Sequence, residues 1–128
     1  DAHEDVVSTL LRVGAPERTV FHCFSGDRAL AEILIENGWY ASFSGTVTFK
    51  KNEELRHALA MLPPELILVE TDAPFLAPEP FRGRPNAPYL VPITVRFIAE
   101  QRGVDVNELA AQLALNTERV YGSWAEGF

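Results

Sequence analysis

A histidine and two carboxylates stand where apolar runs of this chain stop: His22 lies at the end of one run, and Glu70 and Asp72 at the end of another. A neutral imidazole is a good ligand for zinc or manganese, and a carboxylate can both bind a metal and accept a proton from its water. Residues two apart on an extended strand point to the same side, so Glu70 and Asp72 are expected to repel each other unless a metal or another cation lies near them. A lone histidine among apolar neighbours is commonly a hydrogen-bonded core residue. An acidic residue at the end of a buried strand costs several kcal/mol unless it is paired or metal-bound, which makes Asp72 the stronger candidate. Cys23 follows His22 and, by strand alternation, faces the other way, so it reads as a structural thiol rather than a nucleophile.

The cations are read for what they could do to a phosphate. Arg82 and Arg84 stand in a proline-rich stretch after the acidic strand end, where a guanidinium can clamp a phosphate with two hydrogen bonds or simply pair at the surface. Lys50 and Lys51 precede a helix, where lysines are usually solvated. His3 and His57 fall within helical patterns and read as surface residues.

These residues need elements to position them, and the hydrophobic period switches repeatedly between helix and strand. A helix over His3–Arg12 carries Val6, Val7, Leu10 and Leu11, with Gly14 and Pro16 beyond it as stop signals. Arg18–Phe24 is a short β-branched and aromatic run that suits a buried parallel strand. Asp27 then caps a helix with Leu30, Ile33 and Leu34 inward, closed by Asn37 and Gly38. Trp39–Phe43 reads as the second strand, followed by a turn-rich segment, and Asn52 caps the next helix, in which Leu55, Leu59 and Leu62 share a face before Pro63 and Pro64 end it. Leu66–Glu70 is the third strand. Six prolines between Ala73 and Pro92 predict a long rigid loop, and loops of that kind in a compact domain are usually functional. Two helices follow: Val91, Val95 and Ile98 line one, Gly103 stops it, and Asp105 with Glu108 opens the other, whose buried face is Leu109, Leu113 and Val120.

Strands separated by helices imply an α/β fold with a parallel sheet, in which chemistry gathers at the C-terminal ends of strands. Three segments qualify by position: 22–26, 43–46 and 70–74. The 128 residues are 47% apolar and 23% charged, as in globular proteins. The formal net charge of −7 argues against a protein that grips nucleic acid with its whole surface, but leaves room for a nuclease with one local phosphate site. No apolar run approaches the roughly 18 residues of a membrane span. With its single cysteine, the chain is expected to be cytoplasmic, with no membrane partner. It begins at Asp1 without methionine and runs straight into a helix, as a piece of something longer would.

Taken in order, His22-Cys23-Phe24-Ser25-Gly26, Phe43-Ser44-Gly45-Thr46-Val47-Thr48-Phe49-Lys50, Glu70-Thr71-Asp72-Ala73-Pro74-Phe75-Leu76-Ala77-Pro78 and Arg82-Gly83-Arg84-Pro85-Asn86-Ala87-Pro88 resemble the successive signatures of the TatD deoxyribonucleases. Each string alone is weak; the ordered set over nearly the whole chain is specific. The resemblance implies a (β/α)₈ TIM barrel of the metal-dependent hydrolase superfamily, with residues 1–128 as the C-terminal half of one barrel domain. His22 matches the family histidine at the end of the sixth strand. Asp72 matches the aspartate at the end of the eighth, which binds metal and serves the nucleophilic water. The family's remaining ligands come from a His-x-His pair, a glutamate and a further histidine, all in segments this sequence lacks; Asp1-Ala2 resembles the Asp-Ala that follows the last of them. Where family members often carry Asn-Glu-Pro, this chain has Asn86-Ala87-Pro88.

The function so implied is hydrolysis of phosphodiesters, in DNA, by water activated on divalent magnesium, manganese or zinc, two ions in the complete enzyme. Asp72 and His22 are the metal residues, Asp72 is also catalytic, Glu70 is a supporting carboxylate behind the ligands, and Arg82, Lys50 and Ser25 are substrate contacts. The N-terminal half of the barrel is the implied partner, and the 128 residues by themselves are expected to be nearly inactive. Two other readings stay open: a non-catalytic half-barrel that associates through its strand edges, and an amidohydrolase or lactonase of the same superfamily.

Overall fold

In the computed structural model, which describes residues 2–123, helices and strands alternate in the order the periodicity predicts. Asp1 and residues 124–128 lie outside the described residues, so the reading of Asp1-Ala2 finds only Ala2 within them. Three parallel strands, β1 (Val20–Phe21), β2 (Tyr40–Phe43) and β3 (Ile67–Val69), lie in the sheet order β1-β2-β3. The register sets Val20 beside Tyr40, and Ala41, Ser42 and Phe43 beside Ile67, Leu68 and Val69.

Every residue of the central strand is buried, and the alternation of side chains divides it between two apolar clusters. Ala41 and Phe43 pack with Ile67 beneath the helices, while Tyr40 packs with Leu68 and Val120 on the other face. The helices are α1 (Ala2–Val13), α2 (Arg28–Asn37), α3 (Glu53–Met61), α4 (Val91–Arg102) and α5 (Val106–Tyr121). Leu34, Leu59 and Ile98 are their largest fully buried apolar side chains. Among the described residues no helix is long and apolar enough to cross a membrane.

Local capping explains why the helices begin and end where they do. Asp27 accepts from the Leu30 amide at 3.0 Å, and Asp105 accepts from the amides of Asn107 and Glu108. Gly38 and Gly103 close α2 and α4 in the left-handed conformation that suits glycine. Asn52 holds the cap position of α3 but makes no capping bond; its amide instead donates to the Thr46 carbonyl at 2.9 Å. Pro92 lies within the first turn of α4, where its missing N–H costs nothing, so the helix starts inside the stretch its prolines mark as loop.

Two further expectations change. The first strand is far shorter than Arg18–Phe24, because the chain turns at His22 and Cys23 and only Val20 and Phe21 keep register with β2. The apolar face of α1 is mostly exposed: Val7 is buried and Leu10 half-buried, whereas Val6 and Leu11 face solvent. The helix stands at the β1 end of the sheet, where only one of its apolar rows meets the core.

Polar side chains tie the outer elements to the sheet and to each other. Asn116 of α5, fully buried, donates to the carbonyls of Pro64 and Ile67 at 2.7 and 2.8 Å. Arg102 donates to the carbonyls of Leu59 and Leu62, locking the end of α4 to that of α3; burial lowers its pKa, an effect opposed by Glu65.

Candidate metal centre

The candidate ligands sit where all three strands end. At the end of β1 the backbone bulges. In register, His22 would lie beside Ser42, but the Ser42 carbonyl instead receives the Phe24 amide at 2.8 Å, with Cys23 in the left-handed region at φ 45°. Bulges of this kind re-aim a side chain beside a site, and here His22 is left outside the ladder. On the other flank, the Glu70 amide extends the ladder by one bond to the Phe43 carbonyl at 3.0 Å. Asp72 follows in the left-handed region at φ 59°, so the same-side geometry expected of a continuous strand does not apply to it.

By these two departures from regular strand, His22, Glu70 and Asp72 come together, one ligand atom from each lying within 4.8 Å of the others. His22 Nε2 is 3.1 Å from Glu70 Oε1, an ion-pair distance. That approach lacks hydrogen-bond geometry, and both Glu70 oxygens are buried without a hydrogen-bond partner. A carboxylate so placed is costly unless a cation meets it. Two carboxylates and an imidazole form a donor set that suits a divalent ion, so the residues present fit a metal. Glu70, expected behind the ligands, has its carboxylate within ligand reach of both.

Cys23 is half-buried, and its Sγ lies 3.6 Å from Ser44 Oγ. Burial raises the thiol's pKa; the Ser44 hydrogen bond lowers it, and the charges of Glu70 and Asp72 raise it again. A thiol kept neutral in this way is a poor nucleophile, as the structural reading of Cys23 expects.

Of the expected substrate contacts, Ser25 shares a cleft with a candidate ligand, and Arg82 and Lys50 meet at Phe49. Ser25 shares a cleft of about 360 Å³ with His22 and His3, and its hydroxyl is 3.4 Å from His3 Nε2. With Cys23, Thr46 and Lys51 it also lines a second cleft of about 470 Å³. Arg82 lies over the ring of Phe49, 4.3 Å from its centroid, beside Lys50 in the chain. Arg56 braces that segment by donating to the carbonyls of Phe49 and Lys50 at 2.6 and 3.0 Å. Lys50 and Arg84 are exposed, and His57 pairs with Glu53 and Glu54 on the surface of α3.

Sequence reasoning passed over the residues that hold the loops. Gly45 comes so close to the proline-rich segment that an added Cβ would lie 2.3 Å from the Leu76 carbonyl oxygen. Thr48 bridges the same two segments, donating to the Gly45 carbonyl and accepting from the Glu79 amide. Asn86, buried, donates to the carbonyls of Thr71 and Phe75 on either side of Asp72. The sequence signal for Asn86 is its place in the Arg82–Pro88 motif, an amide side chain set between two prolines.

Comparison with known proteins places the chain among relatives of one kind. The model of the family described as TatD related DNase matches residues 1–122. An uncharacterized metal-dependent hydrolase, TatD, of Mycobacterium tuberculosis is 46% identical over 121 residues, covering 94% of this chain and 46% of that protein. A protein of Erwinia amylovora named 3'-5' ssDNA/RNA exonuclease TatD is 38% identical, covering 95% of this chain and 49% of its own length. Among solved structures, the TatD homologue YJJV of Escherichia coli superposes with a TM-score of 0.87 at 30% identity, covering 94% of this chain and 47% of that one. The chain thus spans about half the length of the relatives it matches.

Proposed function

This chain belongs to the TatD-related DNase family, whose members here are metal-dependent hydrolases and whose fold is the TIM barrel, and from that premise we propose that its whole protein hydrolyses phosphodiester bonds in DNA. In this reading residues 1–128 are the C-terminal half of a single barrel domain, and the N-terminal half supplies the remaining ligands. The observation that carries the proposal is the convergence of His22, Glu70 and Asp72, with two buried Glu70 oxygens that accept no hydrogen bond among the described residues.

His22 and Asp72 hold the metal, and Glu70 backs the imidazole from 3.1 Å while adding negative charge beside it. The chemistry that a bound divalent cation supplies is polarisation of the phosphoryl oxygen and access to a nucleophile from water near neutral pH. Asp72 orients the attacking water and accepts its proton at a carboxylate oxygen. Arg82, held in place by Phe49, receives the phosphate with its planar guanidinium, and Lys50 and Ser25 contact the strand beside it. Magnesium, manganese and zinc all suit mixed imidazole and carboxylate ligation. The name of the Erwinia relative makes single-stranded DNA or RNA the first substrate to try. The half-exposed thiol of Cys23 suits the reducing cytoplasm.

The test is nucleotide release from single-stranded DNA by the whole protein with manganese, run beside lactone and amide substrates. Release that disappears in Asp72→Asn supports the reading. Turnover of the lactone or amide without nucleotide release would move the protein to another chemistry of the superfamily.

One observation favours a second role for the isolated chain. Among the described residues β1 and β3 each pair on one side alone, and Leu11 and Val13 of α1, the helix at the β1 end of the sheet, are exposed. Open strand edges beside apolar surface favour association. Light scattering of the 128-residue chain separates a self-associating half-barrel from a monomer.

A further inference from the structure

We infer that Asn86 is a positioning residue that sets the carboxylate of Asp72, an inference that rests on the reading of Asp72 as a metal ligand. The sheet does not position Asp72: β3 ends at Val69, and the last ladder bond beyond it is made by the Glu70 amide. From Thr71 the backbone leaves the sheet, and at Asp72 it takes a φ of 59°, a conformation that residues with a Cβ rarely adopt. Something outside the strand must hold it there.

One holding contact is local, the Ala73 amide donating to Thr71 Oγ1 at 3.2 Å, and the others converge from the far end of the proline-rich loop. Asn86 Nδ2 donates to the Thr71 carbonyl at 2.6 Å and to the Phe75 carbonyl at 2.7 Å, and the Asn86 backbone amide donates to the Pro74 carbonyl at 2.9 Å. The Phe75 amide then closes the turn on the Asp72 carbonyl at 2.9 Å. Asn86 Oδ1 is itself occupied, accepting from the Ala87 amide at 2.9 Å, so the side-chain amide has a single orientation that satisfies all its partners. With only 6% of its surface exposed, Asn86 is largely shut off from solvent, and its two donors are spent on the carbonyls that flank Asp72. An amide is needed for this. Aspartate would set an acceptor against two carbonyls, and alanine would leave both unsatisfied.

Groups behind a metal ligand commonly tune its affinity by about 10–100-fold, and that is the loss expected here. The experiment is calorimetric titration of manganese into the whole protein and its Asn86→Ala, Asn86→Asp and Asp72→Asn variants, with thermal melts recorded in chelator. The proposal expects both Asn86 variants to bind manganese about 10–100-fold more weakly while still melting cooperatively. A merely structural asparagine lowers the melting temperature in chelator and leaves the affinity of the folded protein unchanged, and that result overturns the proposal. Asn86→Ser, which keeps one donor in a smaller side chain, replaces Asn86→Ala if that variant does not fold, and its expected affinity is intermediate. Should Asp72→Asn itself leave the affinity unchanged, the reading of Asp72 as a ligand fails and the proposal with it. A weakened Asp72→Asn beside an unaltered Asn86→Ala rejects the positioning role alone.

Discussion

His22 Nε2 and Glu70 Oε1 stand 3.1 Å apart at the ends of two strands that are not neighbours in the sheet, yet neither oxygen of Glu70 has a hydrogen bond. Strand β2 lies between them, so the pair closes across the mouth of the sheet rather than along one edge. The contact puts an imidazole against a carboxylate whose buried oxygens accept no hydrogen bond among the described residues.

Glu70→Gln should therefore act in opposite directions with and without metal. Removing the buried charge leaves the protein as stable as before, or more stable, in chelator, while the affinity for manganese falls about 10-fold or more. Thermal melts in chelator and calorimetric titration read the two effects. A variant less stable in chelator would mean that Glu70 is paired in the metal-free protein.

Arg82 lies over the Phe49 ring with its guanidinium on an exposed residue, which suits a role in binding substrate. Arg82→Ala is expected to raise KM for single-stranded DNA about 10-fold with little change in kcat or manganese affinity. Arg82→Lys should recover only part of the loss, because an ammonium cannot bind a phosphate with a planar fork. Equal falls in kcat and kcat/KM would place Arg82 in the transition state instead.

At Gly45 the new methyl of an alanine would meet backbone, 2.3 Å from the Leu76 oxygen and 2.7 Å from the Pro78 nitrogen, so no side-chain rotation relieves it. Gly45→Ala should cost about 1–3 kcal/mol, as overpacking does, read from the midpoint of urea unfolding. An unshifted midpoint would show that the proline-rich loop yields freely.

The Cys23 thiol carries a pH dependence of definite sign. Burial raises its folded pKa above the unfolded value, so the folded state holds the proton more tightly. Its contribution to stability is fully present below the ordinary thiol pKa and is lost as pH rises through the folded value. Relative to Cys23→Ser, the native protein should lose stability on the alkaline side alone. Denaturant midpoints of the two proteins compared from neutral to alkaline pH test this; parallel curves would contradict it.

Much of the fold was legible because its signals are local. Asp27, Asp105, Gly38 and Gly103 act within one turn of their own helices, and the structure places each in the capping role its residue type suggests. Asn52 kept its position and lost its role, because a carbonyl at Thr46 competes for its amide. Asn116 was hidden: Leu109, Leu113 and Val120 mark the buried face of α5, but nothing in the spacing shows that an asparagine beside them meets two backbone carbonyls. Asn86 was quoted within a motif and given no task, since the carbonyls it serves lie far back in the chain.

By itself the sequence determined the alternation of helices and parallel strands, the placing of His22 and Asp72 at strand ends, and the ordered motifs that carry the family resemblance. Only the tertiary structure decided that β1 stops at Phe21, that Asp72 sits in a left-handed turn, and that Glu70 meets His22 with both oxygens otherwise unpartnered. Periodicity and capping depend on residues within a turn or two and can be read in order. The meeting of His22, Glu70 and Asp72 depends on the register of three strands and on a bulge at one strand end, and a bulge reverses the side a residue faces without any change in residue type.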